Sequence, residues 1–408
     1  MSYFAKIESL DFFGNGICHY EGKCCFIKNA LPHEEVYFEL TEEKKKYAKG
    51  EVTEIYQPSF FRRAPACFHY GECGGCDFQH VAYEKEAEAK EKHVFRMLTQ
   101  IGGCEDFQFL PLERPEKSYN YRNNVTFHMK EGKTCLYRQK THDHIMVDHC
   151  DLLEPQLNTA LRIINSLNLT DATSVVLRCD NQYHLIAVIY GNCKNDFSAI
   201  LKQYPIFTGI ILINEKGKKV FGDENLIFSF DGMKFTVSYQ SFFQVNTEAA
   251  LNMLRYCVTL LILRSHKNIL DLYCGVGSIG QYLSGNKNVY GIEIVKEAVA
   301  LAKKNMEKNG LKGKYVCGKT EQKLKSLLKE VPQCDLVVLD PPRQGLQKDT
   351  AEVVANYGAD TILYISCDPA SLSRDLKVLQ KNYKLISAKP FDLFPRTAHI
   401  ETVCHLQK

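Results

Sequence analysis

Along residues 1–57 apolar and polar positions alternate with a period of two, in AKIESLDFFGNGICHYEGKCCFIKNALPHEEVYFEL and KGEVTEIYQ. Gly14-Asn15-Gly16 and Glu21-Gly22 punctuate the run as turns. The pattern predicts a small β-barrel that ends near Gln57-Pro58-Ser59. Residues 82–101, rich in Ala, Glu and Lys and stopped by Gly102-Gly103, read as a helix. Over 117–230 the segments NNVTFHMK, HLIAVIY and TGIILINE alternate again and predict a mostly antiparallel sheet. From 242 the period changes. A helix over 247–261 leads to a buried strand at 268–272 and a glycine turn. Strands at 288–293, 314–317, DLVVLD and TILYIS follow, separated by helices, and 384–389 with 399–405 close the chain as an antiparallel edge pair. Alternating strands and helices define a doubly wound parallel sheet. The expected fold class is α/β plus β, in three domains: the barrel at 1–57, a central α+β domain at 58–240, and the doubly wound domain at 241–408. The segment 82–110 is free to pack on either of the last two.

Composition narrows the classes. The chain has 408 residues, 45% hydrophobic and 24% charged, as in soluble globular proteins, and no apolar run approaches the ~20 residues of a membrane span. Neither a secretory leader nor a membrane is expected; the expectation is a cytoplasmic monomer. The 17 cysteines then read as reduced thiols, some of them ligands or nucleophiles. Net charge is +3, but residues 231–408 carry 24 Lys and Arg against 17 Asp and Glu. A basic half permits a polyanionic partner; a solvated lysine-rich surface would look the same.

The turn in ILDLYCGVGSIGQYL places Gly275, Gly277 and Gly280 between a strand and a helix, with Glu293 ending the next strand. That context suits a dinucleotide or S-adenosylmethionine, because both bring a ribose diol to an acid after the second strand. Asp271 before the turn, and Asp340-Pro341-Pro342 after the fourth strand, favour the sulfonium ligand over a pyrophosphate. In D/N-P-P-Y/F amino-methyltransferases an aromatic follows the prolines; here it is Arg343. The fifth strand ends YISCDPASLSRDL, so Cys367 stands at the ligand edge beside a helix N-terminus, where a thiolate is stabilised and its pKa lowered. A thiolate suits methylation at C5 of uracil: addition to C6 makes C5 nucleophilic, and a base then removes the C5 proton so that the thiol can leave. Glu401 in TAHIETVCHL is the candidate base, with His399 as its rival.

SFFQVN, DLYCGVGSIG, VYGIE, LDPPRQGL, YISCDPASLSRDL and AHIETV, in this order, resemble the motifs of the RNA uracil-C5 methyltransferases over essentially the whole chain. The resemblance implies Cys367 as nucleophile, Glu401 as base, and S-adenosylmethionine held by Gln244, Tyr273, Glu293 and Asp340. Ser278 departs from the Asn that many relatives carry. Cys67, Cys73 and Cys76, spaced C-x5-C-x2-C, with Cys150 as a distant fourth, are a thiolate set for zinc or an iron–sulfur cluster; the resemblance implies a [4Fe-4S] cluster. The opening 57 residues resemble a TRAM domain, although their charge, 7 basic against 10 acidic, argues against binding by net electrostatics. Tyr119, Tyr121, Arg122, Phe127, His128 and Lys130 interleave rings with bases, a pattern that fits RNA stacking and strand packing equally. The barrel and cysteine set together resemble the 23S rRNA enzymes, which makes 23S rRNA the expected partner, with tRNA as the alternative. A non-catalytic RNA-binding protein and an NAD-dependent oxidoreductase are the readings from other classes.

Overall fold

The computed structural model describes residues 2–262, 266–285 and 287–408. The N-terminal sheet has six strands, beginning at Ser2–Lys6 and ending with the long Tyr47–Gln57. Its inward positions (Ile7, Ile27, Val36 and Phe38 among them) form a separate small core. The buried Glu34 anchors the exit from this unit. Its carboxylate accepts from Arg62 Nε at 2.6 Å and from the backbone of Leu31 and Ser59.

The central sheet has seven strands in the spatial order His144–Met146, Lys133–Tyr137, Asn124–Lys130, Ala172–Cys179, Leu185–Gly191, Gly209–Asn214, Gly217–Gly222. All pairs are antiparallel except Leu185–Gly191 with Gly209–Asn214, which the helix Phe197–Gln203 connects. Phe127, Val175, Leu177 and Ile189 face the helix Pro155–Ser166. On the opposite face Ile186, Val188 and Ile211 pack with Phe228 and Phe235 of the hairpin 225–238 and with Leu254 and Leu301 of the C-terminal unit. The strands Leu185–Gly191 and Gly209–Asn214 thus alternate between two cores, the condition that a period of two satisfies.

The C-terminal sheet has eight strands. Gly313–Cys317, Asn288–Glu293, Asn268–Leu272, Leu336–Leu339 and Thr361–Ser366 run parallel; Glu401–Gln407 lies antiparallel between Thr361–Ser366 and Lys384–Phe391. The order reverses between Asn268–Leu272 and Leu336–Leu339, which opens a crevice at their C-terminal ends. Gln108–Phe109 extends the far edge as a parallel strand.

The helix expected at 82–101 is α-helical over Tyr83–Arg96 and widens over Met97–Ile101, where Gly102 N–H reaches back five residues to Met97 O at 2.8 Å. It packs on the C-terminal sheet: Ala87, Val94 and Leu98 share one core with Leu270, Leu339 and Tyr364. An ion network with no solvent contact at its centre holds it there. Lys90, 0% exposed, donates to Glu86 at 2.8 Å, to Asp392 at 2.9 Å and to Phe394 O at 3.2 Å. Arg396 N–H donates to Glu86 at 2.6 Å, and Tyr83 OH to Asp392 at 2.8 Å. Truncating Lys90 leaves two carboxylates buried without their cation. Lys90→Met is therefore expected to cost roughly 3–5 kcal/mol of stability, read as a lower urea midpoint at unchanged slope; a loss within experimental error would refute the network's role.

Candidate active site

The crevice is built by backbone constraints. Gly277 caps the helix Ser278–Ser284 at φ 79°, and a Cβ there would meet the Tyr315 hydroxyl at 2.7 Å. Gly280 is required for a different reason: its Cβ would lie 2.5 Å from Asp271 Oδ2, which instead accepts from Gly280 N–H at 3.1 Å. Asp271 thus ties strand to helix. Burial, with lesser contributions from Asp340 and Glu293, pushes its pKa up to about 8.

Of the residues expected to hold S-adenosylmethionine, Glu293 ends its strand with both carboxylate oxygens accepting backbone N–H groups, from Gly275 at 3.0 Å and Val295 at 2.8 Å. Tyr273, at φ 64°, is half-buried against the main core, and burial raises its pKa to about 12. Gln244 does not cap the helix Thr247–Leu261; Asn246 does, accepting from Ala249 N–H at 3.2 Å. Gln244 Oε1 is buried with no hydrogen-bond partner among the described residues, an acceptor waiting for a donor. Asp340 leaves the end of Leu336–Leu339 in the crevice, and burial raises its carboxyl to about 7.

Cys367 and Glu401 meet because their strands are neighbours. Ser366 pairs with Thr402, and because the strands are antiparallel Cys367 and Glu401 both lie one residue beyond that pair on the same side, at the same edge. Glu401 is 3% exposed, and its Oε2 has no partner among the described residues. Its pKa lies well above the carboxylate range, through burial first and Asp340 second, with Arg343 opposing. Cys367 corrects the expectation of a lowered thiol pKa. Burial, then the Glu401 and Asp340 carboxylates, raise it to about 12, against Arg343 alone among the leading influences. The helix start that was to stabilise a thiolate is occupied: Asp368 accepts from Ser371 N–H at 2.7 Å.

Two further groups belong to this cluster and carried weaker sequence signals. Arg343 donates toward His399 at 3.1 Å. Burial and then Arg343 push His399 down to about 4, so its imidazole is neutral at pH 7 and a poor base. Behind the D-P-P-R turn, buried Asp375 accepts from Leu346 N–H at 2.7 Å and Tyr364 OH at 2.6 Å, while Arg374 donates to Gln344 O at 2.6 Å. Arg374 and Asp375 thus hold the loop that bears Asp340 and Arg343; S-R-D-L at a helix carries no separate mark of that role.

The four cysteines Cys67, Cys73, Cys76 and Cys150 line one cavity of about 500 Å³ at the edge of the central sheet. Gln79 clamps the loop, accepting from Cys67 N–H at 3.0 Å and donating to Cys76 Sγ at 3.2 Å. Asn158 fixes Cys150 by a pair of bonds to its backbone, at 2.9 and 3.0 Å. Burial and then the neighbouring thiols raise Cys76, and burial raises Cys150 to about 11. Among the described residues no three Cys, His, Asp or Glu form a group that would hold a single metal ion. The ring-and-base segment splits: Tyr121 and Phe127 are core, whereas His128 turns outward.

The family model for tRNA (uracil-5-)-methyltransferases matches residues 210–408, and that for the TRAM domain residues 3–53. An uncharacterised RNA methyltransferase of Caldanaerobacter subterraneus is 32% identical over 99% of this chain and 98% of its own; one of Bacillus cereus is 31% identical over 98% and 95%. The fold is that of the Pyrococcus abyssi tRNA (uracil-54, C5)-methyltransferase solved with S-adenosyl-L-homocysteine (TM-score 0.79, 22% identity, 99% of this chain and 100% of that one). The chain belongs to the RNA (uracil-5-)-methyltransferase family. It is an S-adenosylmethionine-dependent RNA methyltransferase with an N-terminal TRAM domain.

The charge arrangement around Cys367 gives a signed expectation. With a thiol pKa of about 12, the thiolate fraction of the free enzyme, and with it alkylation of Cys367 by iodoacetamide, rises about tenfold per pH unit between pH 7 and 9. Glu401→Gln removes the larger repelling charge and is expected to speed alkylation at fixed pH. Peptide mapping by mass spectrometry reads Cys367 apart from the other thiols; a slower reaction in that variant would contradict the assignment.

Proposed function

We propose that this enzyme methylates C5 of uridine in RNA, with 23S rRNA as the substrate, through a covalent adduct on Cys367. The observation that carries this reading is the adjacency of Cys367 and the buried Glu401, whose Oε2 has no partner among the described residues, at the ligand edge of the sheet. Cys367, as the thiolate after its proton is lost to solvent, adds to C6 of an extruded uridine, and the π electron pair of the C5–C6 bond becomes available at C5. S-adenosylmethionine, when bound, would supply the electrophilic methyl group to C5 and leave as S-adenosylhomocysteine. Glu401 accepts the C5 proton, the C5–C6 double bond re-forms, and the Cys367 sulfur leaves. Burial makes the Glu401 carboxylate hold a proton more tightly than an ordinary carboxylate, whereas His399, pushed down to about 4, holds one less tightly than an ordinary imidazole, which favours Glu401 as the acceptor. Arg343 sets a positive charge against the carboxylates that otherwise hold Cys367 protonated.

The S-adenosylmethionine fit rests on the orphaned Gln244 acceptor and the Asp340 carboxyl in the crevice, with Glu293 at the end of the second strand for the ribose and Tyr273 at the turn. Cys67, Cys73, Cys76 and Cys150 would hold a [4Fe-4S] cluster. The observation that supports this is that all four thiols line one cavity, and four thiolates are the ligand set of such a cluster. Its contribution is structural, a cross-link between the 67–76 loop and the central sheet, because this route to methyl transfer needs no electrons. We read the chain as three units, 1–57, 58–240 and 241–408, with the helix Tyr83–Arg96 on the catalytic unit.

The deciding experiment is transfer of labelled methyl into unmodified 23S rRNA and unmodified tRNA, with the product nucleoside identified. Label as 5-methyluridine in 23S rRNA alone is expected; label in tRNA alone would overturn the substrate and keep the chemistry. Cys367→Ala is expected to abolish transfer while retaining S-adenosylmethionine binding. Glu401→Gln is expected to accumulate a denaturation-resistant protein–RNA adduct, since elimination lacks its base; full turnover by either variant would refute the role of the residue replaced. Cys76→Ala is expected to lose bound iron and acid-labile sulfide; unchanged iron content would remove Cys76 from the ligand set.

A further inference from the structure

The three-stranded end of the central sheet carries rings where packing does not ask for them. On Asn124–Lys130, Lys133–Tyr137 and His144–Met146 the inward positions Val125, Phe127, Leu136 and Ile145 already complete the core. The opposite, solvated face is expected to be polar. It holds Tyr137, 37% exposed, with His128 at 4.1 Å between ring centroids, His144 at 5.4 Å and 26° between planes, and His142 edge-on at 5.3 Å.

We infer that Tyr137, flanked by His128 and His144, is a stacking platform for unpaired bases of the substrate RNA next to the target uridine. This rests on the reading of the chain as an RNA uridine methyltransferase and names the surface that receives the strand. Charge complementarity favours a nucleic acid strand over an apolar peptide. Tyr137 borders the cysteine cavity together with the cations Arg122 and Lys140 and with Arg138, which is paired with Glu72. The same cations continue toward the chemistry: Arg122 and Arg343 both act on His399, and Arg343 acts on Cys367. A backbone that tracks these cations would lay its bases on flat rings, and rings tolerate any base because every base has a π-face.

The chain contains no tryptophan, so Tyr137→Trp in the full-length protein installs a lone reporter on the platform. Its emission is expected to be quenched on titration with single-stranded oligouridylate and to be unaffected by heparin, which offers charge without bases. Tyr137→Ala is expected to raise KM for the methylated transcript on the order of tenfold, with kcat and S-adenosylmethionine binding retained, and Tyr137→Phe to restore it. Unquenched emission while RNA binds and is methylated, or equal quenching by heparin, would overturn the platform and leave the proposed function standing. Quenching by oligouridylate in a protein that methylates no RNA would do the reverse.

Discussion

The buried cation at Lys90 is the constraint on which the rest of the arrangement hangs. A lysine with no solvent contact persists because two carboxylates, Glu86 and Asp392, and a carbonyl satisfy its donors. Their positions are not local to one element. Glu86 stands on the helix Tyr83–Arg96, whereas Asp392 opens the strap that runs from the edge strand Lys384–Phe391 to Glu401. The same Glu86 holds the backbone of Arg396, whose φ of 70° is the sharpest bend in that strap. Arg396 O in turn accepts from Asp77 and Phe78 N–H at 2.8 and 3.2 Å, and Asp77 accepts from Ala398 N–H at 2.7 Å. Cys76 precedes Asp77 in the chain. The cysteine loop, the helix and the approach to Glu401 are therefore one mechanical unit, although the contacts that join the strap to the other two span more than 300 residues of sequence.

That unit explains why a structural cross-link at the cysteines would matter to chemistry some distance away. A loop ordered at Cys67, Cys73 and Cys76 fixes Asp77 and Phe78, which fix residues 396–398, which deliver Glu401. No electron need pass. The junction of helix and strap is also where buried charge is concentrated: carboxylates at 86, 392 and 401, and cations at 90 and 396. Such networks carry a large desolvation cost, and they are sensitive to the loss of any one partner.

The repeating strand–helix pattern after residue 242 was legible because buried parallel strands are continuous apolar runs, and the turn residues between them are glycine and proline. The helix 247–261 appears with the same limits in the structure. Less legible was everything that depends on distant partners. Residues 82–101 read as a helix, but the attachment to the C-terminal sheet is set by Lys90 and Asp392, which no local period relates. The edge strand Gln108–Phe109 is two residues long and gives no pattern. In the site, motif order nominated residues for the crevice, but not their electrostatics. Position at a helix start suggested a depressed Cys367 pKa; burial first, and then two carboxylates brought in from other strands, reverse it. Arg374 and Asp375 were invisible for the same reason: their partners, Leu346 and Tyr364, belong to other elements.

The electrostatic conflict in the crevice also has a direction. Asp271 and Asp340, raised to about 8 and 7, bind protons more tightly folded than unfolded. Their contribution to stability is fully present below the unfolded carboxylate range near 4 and is lost as pH rises through 7 and 8. At neutral pH burial therefore keeps much of this carboxyl pair protonated in the ligand-free crevice. A cation placed there favours the ionised forms and relieves part of their cost, which is a physical reason for a sulfonium ligand to prefer this crevice. The same relief acts on Cys367, because every positive charge that offsets Asp340 and Glu401 brings its thiolate within reach. Ligand binding and activation of the nucleophile are thus two consequences of one charge imbalance, with Arg343 as its permanent counterweight.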